Sequence, residues 1–305
     1  MTERTAAVLK ANFMGTDPND QFDDLVDSIS TIADEETQLQ NIWVSEGGDD
    51  DNGDGSRLRP YASPHAGLAA VTGDGQAVIL MPGVYSYASS IPWPTDYTDV
   101  LLTGLSAHNE STQLVHTGTA TEVIDIDPTT AAGSANFSAY LANLDIEAPD
   151  GVDGVTIDNG NMTNGKKLIV TFRGVSFGSA DDTTEMSVRW QHNDQHSAPI
   201  EMHMHGCGLG GNDIEGGVYI DPKSTDDVCE VNGMNFKAGI TFGTATIASK
   251  SEFRNCIMKD NGGSGGQDTQ VLRVIGCVSK TGTTWAAAAL ADFADNAAEA
   301  LLSFS

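Results

Sequence analysis

The chain has 305 residues, 43 of them acidic and 15 basic, for a formal net charge of −28 at pH 7. That length suffices for one large or two modest domains with a real buried core. Acid scattered along the chain, with few lysines, excludes a basic nucleic-acid patch and is unsuited to an anionic membrane surface. It is the composition of a protein that works in very high salt, where self-repulsion is screened.

No run approaches 18 apolar residues, so no membrane insertion is expected. The N-terminal "MTERTAAVLKANFMGTDPNDQ" lacks the apolar core of a signal peptide. Manufacture and assembly inside a cell are therefore expected. Residues 1–41 read as a helical anchoring segment. Phe22, Leu25, Val26, Ile29 and Ile32 form one apolar stripe, and Asp17-Pro18 supplies a plausible start. So narrow a stripe needs a partner surface.

At residue 42 the texture changes. The stretch "WVSEGGDDDNGDGSRLRPYAS" places Asp50, Asn52, Asp54 and Gly55 at calcium-loop positions 1, 3, 5 and 6. Position 12 falls on Tyr61, which has no carboxylate, so the loop lacks its closing ligand. A Gly- and Asp-rich solvated turn is the competing reading. Further on, "SSIPWPTDY" sets Trp93 and Tyr97 in a Pro-rich loop, either as exposed platforms for sugar rings or as packed loop anchors.

From 42 to 282, short β-type runs alternate with Gly, Asn, Asp, Ser and Thr, which predicts an all-β domain. A repeat of small residue, apolar, any, apolar recurs. Its first apolar positions are Leu144, Val175, Cys207, Met234, Cys256 and Cys277, spaced by 31, 32, 27, 22 and 21 residues. Such periods mark a solenoid, in which stacked coils bury an inward face that none could bury alone. The four cysteines, Cys229 among them, contain no CxxC pair, and a zinc ribbon is excluded by spacing. Cys207, Cys256 and Cys277 share the inward repeat position and read as rungs of an apolar ladder.

The segment from Trp43 to Tyr85 resembles the entry of pectin-lyase-like β-helix proteins. It has an aromatic-Val-Ser strand at Trp43-Val44-Ser45, a Gly/Asp/Asn turn, and Pro60-Tyr61. An Ala-rich helix from His65 to Val71, a strand from Val78 to Met81, and Pro82-Gly83-Val84-Tyr85 follow. The resemblance implies a right-handed, single-stranded parallel β-helix whose open end is capped by that helix. It says little of activity, because folds host many functions. Enzymes of this superfamily use clustered carboxylates. Asp125/Asp127, Asp145/Glu147, Asp213/Glu215 and Asp158 all qualify by type, with nothing to choose among them, and no catalytic residue is assigned.

In "EMHMHGC", strand alternation puts Met202 and Met204 on one face and Glu201, His203 and His205 on the other. Two outward histidines at i and i+2 are suited to a transition metal, or else belong to a polar sheet face. The pattern is similar to a His-x-His metal site on trimeric spike tips of some tailed viruses, so a divalent metal ion is the cofactor to look for. Residues 283–305 carry Trp285, Leu290, Phe293, Leu301 and Phe304 at helical spacing, an amphipathic C-terminal helix that either caps the last coil or bundles with its copies.

Together these readings lead to the expectation of a fibre or spike protein on the virion of a virus infecting a halophilic archaeon, a homo-oligomer with a trimer favoured. It would be made in the host cytoplasm, docked to other virion proteins through its N-terminal segment, and would contact host glycans or glycoproteins. The alternative is a polysaccharide-degrading β-helix enzyme, a hydrolase or lyase. The salt dependence is testable. The Debye length grows from about 3 Å at 1 M to about 30 Å at 0.01 M, so circular dichroism is expected to show a falling melting temperature across that range. An unchanged curve counts against the high-salt assignment.

Overall fold

In the computed structural model, the described residues lie within 41–279. The stretches 107–110, 129–135, 150, 160–161, 163–165, 180–185, 192–197, 207–212, 215–216, 222–223, 225, 237–239, 243–249, 255, 259–263, 266–270 and 276–277 are not described. The helical readings for residues 1–40 and 283–305 fall outside the described residues, as do Cys207 and Cys277.

The chain opens with β1 (Asn41–Val44) and helix α1 (Pro64–Ala69), then climbs in triplets. These run β2 (Ala77–Leu80), β3 (Gly83–Tyr87), β4 (Ile91–Pro92); β5 (Val100–Gly104), β6 (Thr112–His116), β7 (Glu122–Ile126); β8 (Phe137–Ala142), β9 (Asp145–Ala148), β10 (Asp153–Asp158). Next come β11 (Leu168–Arg173), β12 (Ser176–Ser179), β13 (Met186–Gln191); β14 (Ile200–His205), β15 (Asp213–Ile214), β16 (Gly217–Ile220). The series closes with β17 (Val228–Asn232), β18 (Asn235–Phe236), β19 (Ile240–Phe242); β20 (Lys250–Arg254), β21 (Ile257–Met258), β22 (Ser264–Gly265); and β23 (Val271–Ile275), β24 (Val278–Ser279).

Among the described residues, the first strand of each triplet joins sheet 1, with nine strands including β1; the second joins sheet 2, with eight; the third joins sheet 3, with seven. Every strand pair with a determined register is parallel, for example Val170↔Ala139 and Val170↔Met202. The chain is thus an all-β parallel β-helix.

Because the same position in each coil stacks on its neighbour, the core consists of ladders. Sheet 1 carries Val78, Leu102, Leu141, Phe172, Met204, Val231 and Phe253 in register, each 1% exposed or less. A second ladder runs Val100, Ala139, Val170, Met202, Cys229. Sheet 3 contributes Ile126, Ile157, Trp190 and Ile220, and Phe172 of sheet 1 meets Phe177 of sheet 2 edge-on at 5.7 Å.

The small residue of the sequence repeat is the corner between sheets 1 and 2. Asn143, Gly174 and Gly233 have φ of 54°, 62° and 71°, the left-handed region that Gly, and next to it Asn, enters at least cost. The corner amides bond the coil above: Asn143 N–H donates to the Arg173 carbonyl (3.0 Å), Gly174 N–H to His205 (2.9 Å) and Gly233 N–H to Arg254 (3.0 Å). The residue after each corner turns inward: Leu144, Val175, Met234 and Cys256 are all 2% exposed or less.

At the entry end the structure matches the expected segment. Ser63 caps α1 by accepting the Ala66 N–H, and Leu68 is buried beneath the helix. A Cβ at Gly67 would stand 2.6 Å from Val44 and 2.9 Å from Val78, so glycine allows the helix to lie directly on the first rungs. The loop between Ser45 and Ser63 folds back along β1, the edge strand of sheet 1. Trp43 N–H donates to the Gly55 carbonyl (2.8 Å), Tyr61 N–H to Trp43 (3.0 Å) and Ser45 N–H to Tyr61 (2.9 Å).

Cys256 occupies the inward position expected of it. Cys229, which the repeat had left unplaced, proves to be a rung of sheet 1. Both are free and buried, and burial pushes the Cys229 thiol well above its usual range. The Cys256 thiol donates to the Arg254 carbonyl at 3.2 Å. Neither is expected to react with a thiol reagent in the native fold, and both are expected to react once denatured. Mass-resolved labelling of each site with and without denaturant checks this, and full native labelling of either contradicts the ladder.

Candidate functional sites on two outer faces

The acidic turn spends its oxygens on its own loop. Asp50 accepts the backbone N–H groups of Ala62 (2.7 Å) and Ser63 (2.9 Å). Asp54 accepts the Ser56 N–H (3.0 Å) and pairs with Arg59 (3.2 Å), and the bond from Ser56 holds its carboxyl below the usual range. Asn52 donates its side-chain amide to Asp49 (2.9 Å). Among the described residues no group of three or more His, Cys, Asp or Glu side chains is close enough to hold a metal ion. The structure therefore shows a hydrogen-bonded clasp where Asp50, Asn52 and Asp54 were read as half a calcium loop.

Trp93 is only 3% exposed and belongs to the core, while Tyr97 is half-buried against it. Of the two readings of that loop, the packed anchor is the one realised, and Trp93 presents no ring face to a sugar.

The strand reading of "EMHMH" holds. Met202 and Met204 are fully buried, and His203 and His205 lie outward with near-parallel rings, 6.4 Å apart at an angle of 5°. His203 Nδ1 lies 3.1 Å from a Glu230 oxygen and its Nε2 4.0 Å from Glu201. The register extends this into a mixed-charge face. Thr171, His203, Glu230 and Glu252 form one row, and Arg173, His205, Asn232 and Arg254 the next. Lys167 pairs with Glu201 and Arg254 with Glu252, and each pairing pushes the base's pKa upward. A shallow depression of about 280 Å³ is lined by His205, Glu230, Asn232, Glu252 and Arg254. In a chain so poor in bases, this face gathers Lys167, Arg173 and Arg254 beside two histidines.

The second face lies on sheet 3. Glu122, Asp125 and Asp127 come from β7 and the residue after it; Asp153 and Asp158 come from the neighbouring β10. Asp127 follows the paired Ile126 and Ile157, which sets it beside Asp158 across one strand spacing of about 4.8 Å, with Asp125 about 7 Å along its own strand. Asp153 is held by Arg189, whose guanidinium also lies over the Tyr219 ring at 5.6 Å. Burial pushes Asp125 up to about 6, with the charges of Glu122, Asp127 and Asp158 adding to it. Asp127 is raised in the same way, by burial and by Asp158. Composition alone offered no way to choose among the acids. The repeat did hold a signal: its first gap of 31 residues, from Leu144 to Val175, lands on Asp158 when applied to Asp127.

No family model matches this chain, and no curated protein matches it. Among solved structures, one resembling it is the crystal structure of GH136 lacto-N-biosidase from Eubacterium ramulus, as a selenomethionine derivative. The identity is 10% and the TM-score 0.36, over 86% of this chain and 61% of that one. The class that the coordinates define is the parallel β-helix. The chain spans about three fifths of that protein's length.

The Asp125 shift has a definite sign. With its folded pKa raised to about 6 from 3.8, its protonation favours the fold fully below the unfolded value and loses that effect as pH rises through about 6. Asp125→Asn is therefore expected to stabilise the protein at pH values above about 7, with the gain shrinking as pH falls through 6 toward 4. Denaturant melts of both proteins across that range check it, and a pH-independent difference contradicts the cluster.

Proposed function

We propose that this chain is a surface-displayed β-helix of the fibre or spike type, carried on the virion of a virus infecting a halophilic archaeon, that binds host glycans or glycoproteins. The observation that carries this reading is the outer face of sheet 1. Charged and hydrogen-bonding side chains repeat there coil after coil around a shallow depression rather than a deep cleft. Such a surface suits an extended, hydroxyl- and carboxylate-rich ligand read by many weak polar contacts. The acid-rich composition supports a high-salt setting. In the same reading the protein is a homotrimer, and the apolar stripe of residues 1–41 docks onto another virion protein, since an exposed stripe is costly.

A second reading is favoured by one observation, the grouping of Asp125, Asp127 and Asp158. Their backbone spacings fall near the separations of roughly 5–9.5 Å at which carboxyl pairs cleave glycosidic bonds, and the raised Asp125 resembles a general acid.

Purified protein applied to arrayed archaeal surface glycans at high salt is expected to bind. The combined variant Asn232→Ala with Arg254→Ala is expected to weaken binding at least about tenfold, the equivalent of about 1.4 kcal/mol, and Asp125→Asn to leave it unchanged. Release of oligosaccharides that is abolished by Asp125→Asn or Asp158→Asn selects the enzyme instead. Absence of the protein from purified virions overturns the viral assignment.

A further inference from the structure

The entry end contains an aromatic column that neither outer face uses. His65 of α1 meets Tyr87 of β3 edge-on at 5.1 Å, and Tyr87 meets His116 of β6 edge-on at 5.8 Å. The register pairs Tyr87 with His116, so the column runs along the solenoid axis from the capping helix through two coils. His116 is 2% exposed. Its Nδ1 accepts the Gly118 N–H at 3.2 Å, so the ring hydrogen of the neutral imidazole sits on Nε2, which finds no acceptor among the described residues.

We propose that the His65–Tyr87–His116 column is an acid-sensitive latch, holding α1 to the first two coils while His116 is neutral and releasing it when His116 is protonated.

The reason lies in where the second proton must go. Protonation places an N–H on Nδ1, directly facing the Gly118 N–H, so a bond becomes a donor–donor repulsion and a charge is buried. Gly118 cannot simply retreat. A Cβ there would stand 2.0 Å from the Ala88 carbonyl oxygen, and Thr117 is tied to the Tyr87 carbonyl at 2.7 Å. Displacement of this turn therefore pushes on Tyr87 and Ala88. The next residues, Ser89 and Ser90, are those that hold the helix: His65 Nε2 lies 3.1 Å from Ser89 Oγ and 3.0 Å from the Ser90 carbonyl. An unbroken set of contacts thus links His116 to α1.

Among the described residues, the groups facing His116 are Glu122 from β7, His65 from α1 and Tyr87 from β3. On β9 the register sets Glu147 beside Val115, the residue before His116. Burial is the largest influence and lowers the His116 pKa. Glu122 opposes that, and His65 adds to it. Tyr87 is pushed far upward by burial and stays neutral. The unfolded imidazole takes up its proton near 6.5 while the folded one resists. The unfolded state then binds more protons, and stability conferred by neutral His116 falls as pH drops through that range.

The test is hydrogen exchange on the full-length protein at constant high salt. Peptides covering 62–72 and 83–93 are read as a ratio to reference peptides from 168–177, at pH about 7.5 and about 5. In the wild type the ratio is expected to rise severalfold at the acid pH. His116→Asn keeps an acceptor near the Gly118 N–H and cannot titrate, so its ratio is expected to stay constant. An equal rise in His116→Asn overturns the latch, as does a constant wild-type ratio. Should that variant fail to fold, NMR of the wild type decides. Shifts of α1 amides that track the His116 imidazole titration support the latch, and α1 amides that stay fixed while His116 protonates overturn it.

Discussion

The structure depends on one recurrent constraint: at three corners between sheets 1 and 2, the backbone enters the left-handed region. Asn143, Gly174 and Gly233 all do so, and each such corner donates its amide to the coil above. Most residues with a Cβ are strained in this conformation, which explains why these three corners are Gly or Asn. With the corner set, the next side chain must point inward and the two flanking strands must stack in register. The apolar ladders, the buried thiols and the outward alternation of His203 and His205 follow from that bend.

The fold was legible because its signal is periodic. The small-apolar-x-apolar repeat marks the inward rung, while the role of its small residue as a corner is visible only in the fold, and the Trp43–Tyr85 segment announces the entry strand and its cap. What single residues do was harder to read. The Pro-rich loop left Trp93 open between an exposed platform and a packed anchor, and burial in the core decides for the anchor. Asp50, Asn52 and Asp54 have half a metal loop's spacing, yet the donors that claim Asp50 lie twelve and thirteen residues on, at Ala62 and Ser63. Acidic composition hid the Asp125, Asp127 and Asp158 group among many equals, and only the coil length could have brought two of them together.

Two electrostatic regimes coexist on one solenoid. On sheet 1, acids alternate with bases, so Glu201 and Glu252 are compensated by Lys167 and Arg254. On sheet 3, Arg189 goes to Asp153, and burial raises Asp125 and Asp127, with the neighbouring acidic charges adding to it. Partial burial on a β-helix face prevents solvent from screening that repulsion. The stacking that lines up hydrophobic rungs inside lines up like charges outside with equal fidelity, so each surface row acquires a chemical character of its own.

The loop from Ser45 to Ser63 has a consequence for how copies of this molecule meet. A parallel solenoid is a template: its first strand exposes amides and carbonyls spaced to receive another chain. Here that row is already taken by Gly55 and Tyr61, and the loop is locked by the Asp50 and Asp54 clasps. Strand addition to β1 is therefore blocked at this edge.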